Sequence, residues 1–152
     1  MRLQRIQMAQ RNFYNQLTHD SVVRASRDTY SELANQGYMI SINPAQEHNQ
    51  YVGGANKLYP DLIVWRPNAN DRSTGTAIII EEVETEDSVN EIEAQQWVAY
   101  GKLNISQFRL IVPTQKAADA LRIVQQYNIK VTEIWHYSSV GGKIYFNKYI
   151  TL

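Results

Sequence analysis

The run Ala77-Ile78-Ile79-Ile80-Glu81-Glu82-Val83-Glu84 constrains the fold more than any other stretch of this chain. Three consecutive isoleucines with no polar alternation fit a strand covered on both faces, which places it at the centre of an α/β sheet. A second segment, Tyr59-Pro60-Asp61-Leu62-Ile63-Val64-Trp65, precedes it. β-Branched and aromatic residues dominate both and turn formers bound both, so both read as strands. The connection from Pro67 to Gly75 is dense in turn residues and has no periodicity, which predicts a hairpin. In a hairpin the start of one arm lies beside the end of the other. Asp61 opens the first arm, while Glu82 and Glu84 close the second, two residues apart and on one face of the strand. The spacing therefore predicts three carboxylates at one end of a sheet.

Clustered carboxylates repel one another, and burial raises that cost. A hard divalent cation converts the same cluster into a ligand set, because magnesium, manganese and calcium prefer carboxylate oxygens. Acids at the end of a central strand also lie in the crevice where α/β sheets bind ligands. The competing reading is a solvated, acid-rich strand end.

The remaining chain supplies the partners such a strand needs. Residues 2 to 16 carry apolar positions at helical spacing, and a second helix is expected from an N-cap at Asp20 or Ser21 to about Gln36, with Gly37 as its stop. Tyr38 to Ile42 reads as a first strand. Residues 43 to 59 form the longest irregular stretch, and loops of that length are often functional. His19-Asp20 reads as a turn leading into a helix, since it lacks the further ligands of a histidine metal site. Ser88 and Glu91 fit a capping box opening a helix that runs to about Leu103. Gln96 and Tyr100 are four apart on one face of that helix. Phe108 to Pro113 reads as a strand, Ala117 to Tyr127 as a helix, and Val131 to Tyr137 as a strand, an order that implies a parallel crossover. Lys143 to Ile150 is expected as an edge hairpin arm. The expected fold is a single α/β domain spanning residues 1–152, with a central mixed sheet flanked by helices on both faces.

At this point the chain resembles a family. Pro60-Asp61, a gap, and Glu82-Val83-Glu84 resemble the PD-(D/E)XK, restriction endonuclease-like, nuclease superfamily, and the element order matches that family's αβββαβ core with an added N-terminal helix and C-terminal strand. The resemblance implies that Asp61 and Glu82 hold one or two Mg2+ (or Mn2+) ions. Glu84 stands where the family's motif Lys normally stands, and would bind a second metal or orient the attacking water. Within the family the helix before the first strand often carries a further acid, for which Asp28 and Glu32 are the candidates. Lys57, just upstream of Pro60-Asp61, is a candidate for the missing cation. Gln96 and Tyr100 match a Gln and Tyr pair that several such families carry near the site. The implied activity is divalent-metal-dependent phosphodiester hydrolysis on nucleic acid, with DNA the first expectation. The alternative is an inactive nuclease-fold domain serving as a nucleic-acid-binding or protein-interaction module.

Composition narrows the partners. The 152 residues carry zero formal net charge, which excludes a generically basic nucleic-acid binder. The charge is unevenly spread, however. Arg2, Arg5, Arg11, Arg24 and Arg27 crowd the N-terminal stretch, whereas Glu81, Glu82, Glu84, Glu86, Asp87, Glu91 and Glu93 follow one another without an intervening Lys or Arg. A basic arm beside an acidic site suits a phosphodiester substrate. No apolar run approaches a membrane span, and there is no cysteine, so no membrane partner and a cytoplasmic setting are expected. A homodimer, or a place in a larger assembly, is the expected way for so small a domain to act on two strands.

Overall fold

The computed structural model describes residues 12–45 and 47–152. Among the described residues, four α-helices and six strands form one α/β unit: α1 (Phe13–Asp28), α2 (Ser31–Asn35), β1 (Met39–Ile42), β2 (Leu62–Pro67), β3 (Gly75–Val83), α3 (Glu91–Gly101), β4 (Gln107–Pro113), α4 (Ala117–Gln126), β5 (Glu133–Val140) and β6 (Lys143–Thr151). The sheet runs in sequence order, β1-β2-β3-β4-β5-β6. Strands β1 to β3 form an antiparallel meander, β4 and β5 continue parallel to β3, and β6 returns antiparallel. The expected central mixed sheet with helices on both faces is what the chain forms.

β3 sits third in the sheet and is fully buried over its last five residues. Its alternate residues enter different cores. Ile80 packs with Ile63, Leu110, Val112 and Ile134 beneath Trp97 and Tyr100 of α3 and Ala120, Ile123 and Val124 of α4. Val83 and Ile79 face the other way, toward Val22 and Val23 of α1 and toward Tyr30. An isoleucine run without polar alternation is the sequence form of this double coverage.

The N-terminal expectation needs correction. Residues 2 to 11 of the first expected helix lie outside the described residues, as do Arg2, Arg5 and Arg11 of the basic arm. Beyond them a single helix runs through positions 13–28, capped by Asn12, whose Oδ1 accepts from Asn15 N at 2.8 Å. Asp20 and Ser21 are therefore interior to α1 rather than an N-cap. His19, Val22, Val23 and Ser26 share its buried face, at the i, i+3, i+4, i+7 spacing of one helical stripe. The helix ends at Asp28, and only the short α2 follows. The cap of α3 also differs from the expected Ser88–Glu91 box. Asn90 caps it by accepting from Glu93 N at 2.9 Å, while Ser88 Oγ accepts from Thr85 N in the preceding turn.

β5 and β6 are joined by Gly141 and Gly142, both at positive φ (59° and 81°), as a two-residue turn of the primed hairpin type requires. Among the described residues no helix is long and apolar enough to cross a membrane.

The core makes a direct expectation. Leu110 is fully buried on β4 between β3 and β5. Leu110→Ala should cost about 3 kcal/mol in a urea titration, from lost transfer energy plus the cavity left behind. The exposed-position control Arg24→Ala should stay within about 0.5 kcal/mol.

Candidate functional site

The pairing register of β2 with β3 places Leu62 opposite Glu81 and Ile63 opposite Ile80. One step further along the same register puts Asp61 opposite Glu82. Glu82 alternates with Ile80 toward the face that α3 covers, and both carboxylates are buried, at 8% and 5% exposure. Glu84 follows at 1% exposure. Its backbone is fixed beyond the end of β3: Glu84 N–H donates to Ile111 O at 2.8 Å, and Glu84 O accepts from Tyr137 Oη at 2.9 Å.

Tyr100 of α3 lies against Glu82. It is 2% exposed, and its hydroxyl is held well above the ordinary phenol range, first by burial and then by the negative charge of Glu82 and Asp61. Its hydroxyl is hydrogen-bonded to Glu82, and Glu84 adds to the same negative field. The structure thus brings Asp61, Glu82, Glu84 and Tyr100 together. Among the described residues, however, no three His, Asp or Glu side chains stand in ligand positions around one point.

Asp61 carries the reason. Its Oδ2 accepts from Val83 N–H at 2.7 Å, and its Oδ1 lies 2.9 Å from His19 Nε2. His19 is 1% exposed, and its Nδ1 lies 3.0 Å from Asp20 Oδ1. Both ring nitrogens therefore lie close to carboxylate oxygens, an arrangement that favours the doubly protonated imidazolium. Burial alone would raise the Asp61 carboxyl. The charge of His19 opposes it, together with hydrogen bonds to Glu82, His19 and the Val83 amide, and the carboxyl is held down at about 2. The repulsion expected from three clustered acids is thus offset at Asp61 by a buried histidine. Asp20 anchors the other side, accepting from Ala45 N–H at 2.8 Å and Gln16 Nε2 at 2.9 Å. Its carboxyl is lowered: burial opposes the shift, and the His19 hydrogen bond leads the groups that outweigh it.

The accessory candidates divide. Tyr100 belongs to the site. Gln96, one turn earlier on α3, is half-buried. Asp28 and Glu32 are exposed, and Asp28 lies 3.6 Å from its neighbour Arg27 rather than near Asp61. The hydroxyls that reach β3 from the same region are those of Ser26 on α1 and Tyr30 in the turn after it, and both donate to Glu81. Strand alternation turns Glu81 away from its neighbours Glu82 and Glu84, so this fourth acid is a separate, satisfied group. Burial raises its carboxyl. Lys57 is exposed and lies over the Tyr51 ring, 4.6 Å from its centroid, and so does not supply a cation to the acids.

His19 is the site residue that sequence reasoning missed. Reading residues 20 or 21 as a helix start hid the stripe His19, Val22, Val23, Ser26. A polar residue in register with an otherwise buried stripe was the signal that could have found it.

The linkage at Asp61 sets an acid limit. With the folded carboxyl at about 2 and the unfolded one at about 4, Asp61 contributes stability above pH 4 that is lost as pH falls toward 2. Unfolding free energies across this range should show wild type losing stability as pH falls, with Asp61→Asn less stable at neutral pH and flatter below pH 4. Equal slopes in the two proteins would show that His19 and the Val83 amide do not hold the charged form.

No protein-family model, curated protein or solved structure was found to match this chain.

Proposed function

We propose that this protein is a divalent-metal-dependent phosphodiesterase of PD-(D/E)XK type acting on nucleic acid, with Glu84 at the position of the motif lysine. The observation that carries the reading is the burial of Asp61, Glu82 and Glu84 at one end of the central strand, with the Tyr100 hydroxyl against Glu82. Three carboxylates in an interior are costly, and an oxygen-only, acidic set suits a hard cation.

Mg2+ or Mn2+ fits the chemistry of this donor set. Two N–H groups occupy one lone-pair direction on each Asp61 oxygen, and a carboxylate offers about four. The remaining directions on Asp61, together with Glu82 and Glu84, would hold the ion. When bound, such an ion acidifies a coordinated water and neutralises charge developing on a phosphate. The chain's own groups have distinct tasks. His19 and the Val83 amide hold Asp61 ionised and oriented. Tyr100 orients Glu82 by its hydrogen bond. Glu84, buried beside them, accepts a hydrogen bond from the attacking water and aims it. A nucleic acid is the proposed partner and DNA the first substrate to try. The absence of cysteine suits a reducing setting such as the cytoplasm.

Glu84 itself favours a second reading. A family member without its lysine can be a binding module with no hydrolytic step. One set of measurements separates the two. Wild type should cut plasmid or oligonucleotide in Mg2+ or Mn2+, Asp61→Asn should abolish cutting, and Glu84→Ala should lower it more than tenfold, about 1.4 kcal/mol of barrier. Independently of activity, Mn2+ should raise the melting temperature of wild type but not of Asp61→Asn, since a ligand that binds only the native state stabilises it by mass action. A manganese response without cleavage selects the inactive module. An identical response in Asp61→Asn removes Asp61 from the ion site.

A further inference from the structure

The stretch from Asn43 to Asp61 has little regular secondary structure, yet it is closely built. Asn43 is 3% exposed and works as a hub. Its Nδ2 donates to Gln50 O at 2.9 Å and Pro60 O at 2.7 Å. Its Oδ1 accepts from Asn49 N at 2.8 Å and Gln50 N at 3.0 Å, and its own N–H donates to Asp61 O at 2.9 Å. Four polar ends of the segment are thereby tied to one buried amide and to the backbone of the central acid. Val52 and Leu58 exchange backbone hydrogen bonds of 2.8 and 2.9 Å, which makes a small antiparallel bridge. Gly53 turns it at φ +88°, where a Cβ would stand 2.6 Å from Asn56 O.

That bridge sets Tyr51 opposite Tyr59. Val52 points inward and joins the main core at 5% exposure, while the rings face outward. His48 stacks on Tyr59 with centroids 4.0 Å apart and planes 11° from parallel, and Tyr51 meets Tyr59 edge-on at 6.1 Å. The Lys57 ammonium lies over Tyr51. His48, Tyr51 and Lys57 are all exposed, and Tyr59 is half-buried. These rings form a fixed, solvent-facing stack with a cation at one end, two residues from Asp61.

We propose that His48, Tyr59 and Tyr51 form a nucleobase-stacking subsite, in which a base of a single-stranded segment extends the His48–Tyr59 stack while Lys57 takes an adjacent phosphate. The placement beside Asp61 rests on the phosphodiesterase reading. The ligand chemistry follows from the rings: exposed parallel aromatic faces accept any planar base, and stacking tolerates sequence because every base has a π-face. The ammonium supplies the complementary charge for the backbone. Asn43 keeps the stack from collapsing into the core and fixes its distance from the acids, so little ordering is left to be lost on binding.

The test is fluorescence anisotropy in EDTA, so that cleavage plays no part. The probes are a labelled oligothymidylate, its ribose counterpart, and a strand of the same length built of abasic sugars. Wild type should bind both base-bearing strands more tightly than the abasic one. His48→Ala and Tyr59→Ala should each weaken base-bearing strands by roughly fivefold or more, leave the abasic strand unchanged, and bring the two classes together. His48→Phe and Tyr59→Phe should retain the preference, and melting curves should show the exposed-site variant His48→Ala folded as wild type. Lys57→Ala should weaken all strands alike and shallow their salt dependence. Equal binding of abasic and base-bearing strands by wild type, no binding of any strand, or a preference intact in His48→Ala and Tyr59→Ala together would each overturn the subsite. Base preference without metal-dependent cleavage would leave the subsite standing and sink the phosphodiesterase. Cleavage with base-blind binding would do the reverse.

Discussion

A carboxylate enters a protein interior only with partners, and the partners of Asp61 come from separate parts of the chain. Val83 at the end of β3 gives an amide, His19 of α1 gives a ring nitrogen, and Asn43 ties down the backbone carbonyl. A single residue ahead of β2 thereby joins the central hairpin, the N-terminal helix and the long segment before β2. Removing a partner from such a group leaves a buried charge exposed to its desolvation cost, which is why these contacts persist together. The continuation through His19 to Asp20 and Ala45 extends the same network to the other end of the segment. The acid cluster is held in place by the architecture around it.

The opposite face of the sheet shows how the same sequence run yields a different result. Glu81, Arg109 and Glu133 are register neighbours on β3, β4 and β5, so their side chains form a row across the strands. Arg109 Nε lies 2.9 Å from Glu133 Oε1, Arg109 Nη1 donates to Tyr30 Oη at 2.7 Å, and Lys148 Nζ lies 2.6 Å from Glu133 Oε2. Here acids alternate with cations and hydroxyls, and each charge is answered nearby. Glu82 has Asp61 and Tyr100 among its neighbours. One face therefore carries an ion-pair ladder, and the other gathers Asp61, Glu82 and Glu84, with His19 against Asp61. This contrast directs attention to Asp61, Glu82 and Glu84 rather than to Glu81, although all four are buried.

The segment before β2 sets an aromatic surface near these acids. Its apolar residue Val52 is drawn into the core while its rings are left outside, held by backbone pairing and by one amide. In the proposed subsite this aromatic surface would stack on the bases of a strand, and Lys57 would meet its backbone by charge. Each is weak alone, and their fixed separation is what would make them act together.

Strand positions, the hairpin and the central place of β3 were legible in the sequence because period and composition are local properties. Ile78-Ile79-Ile80 admits few alternatives to a strand covered on both sides, and Pro67 to Gly75 must turn. The meeting of Asp61 with Glu82 followed from hairpin geometry alone. The helix boundary near residue 20 was not legible, because Asp20 and Ser21 are good capping residues and propensity cannot see the buried stripe that carries α1 through them. His19 was hidden for the same reason: its partners Asp61 and Asp20 become meaningful only when α1 packs on the sheet. Tyr100 was legible as a position on a helix face, but its contact with Glu82 depended on how α3 lies over β3. Asp28 sits on the exposed side of α1 and Glu32 is exposed on α2, a placement that the packing of these helices decides. Sequence by itself determined which residues form the sheet and that its acids share one end. Tertiary packing decided which cation answers them, since burial and proximity between distant elements, not local pattern, set the electrostatics there.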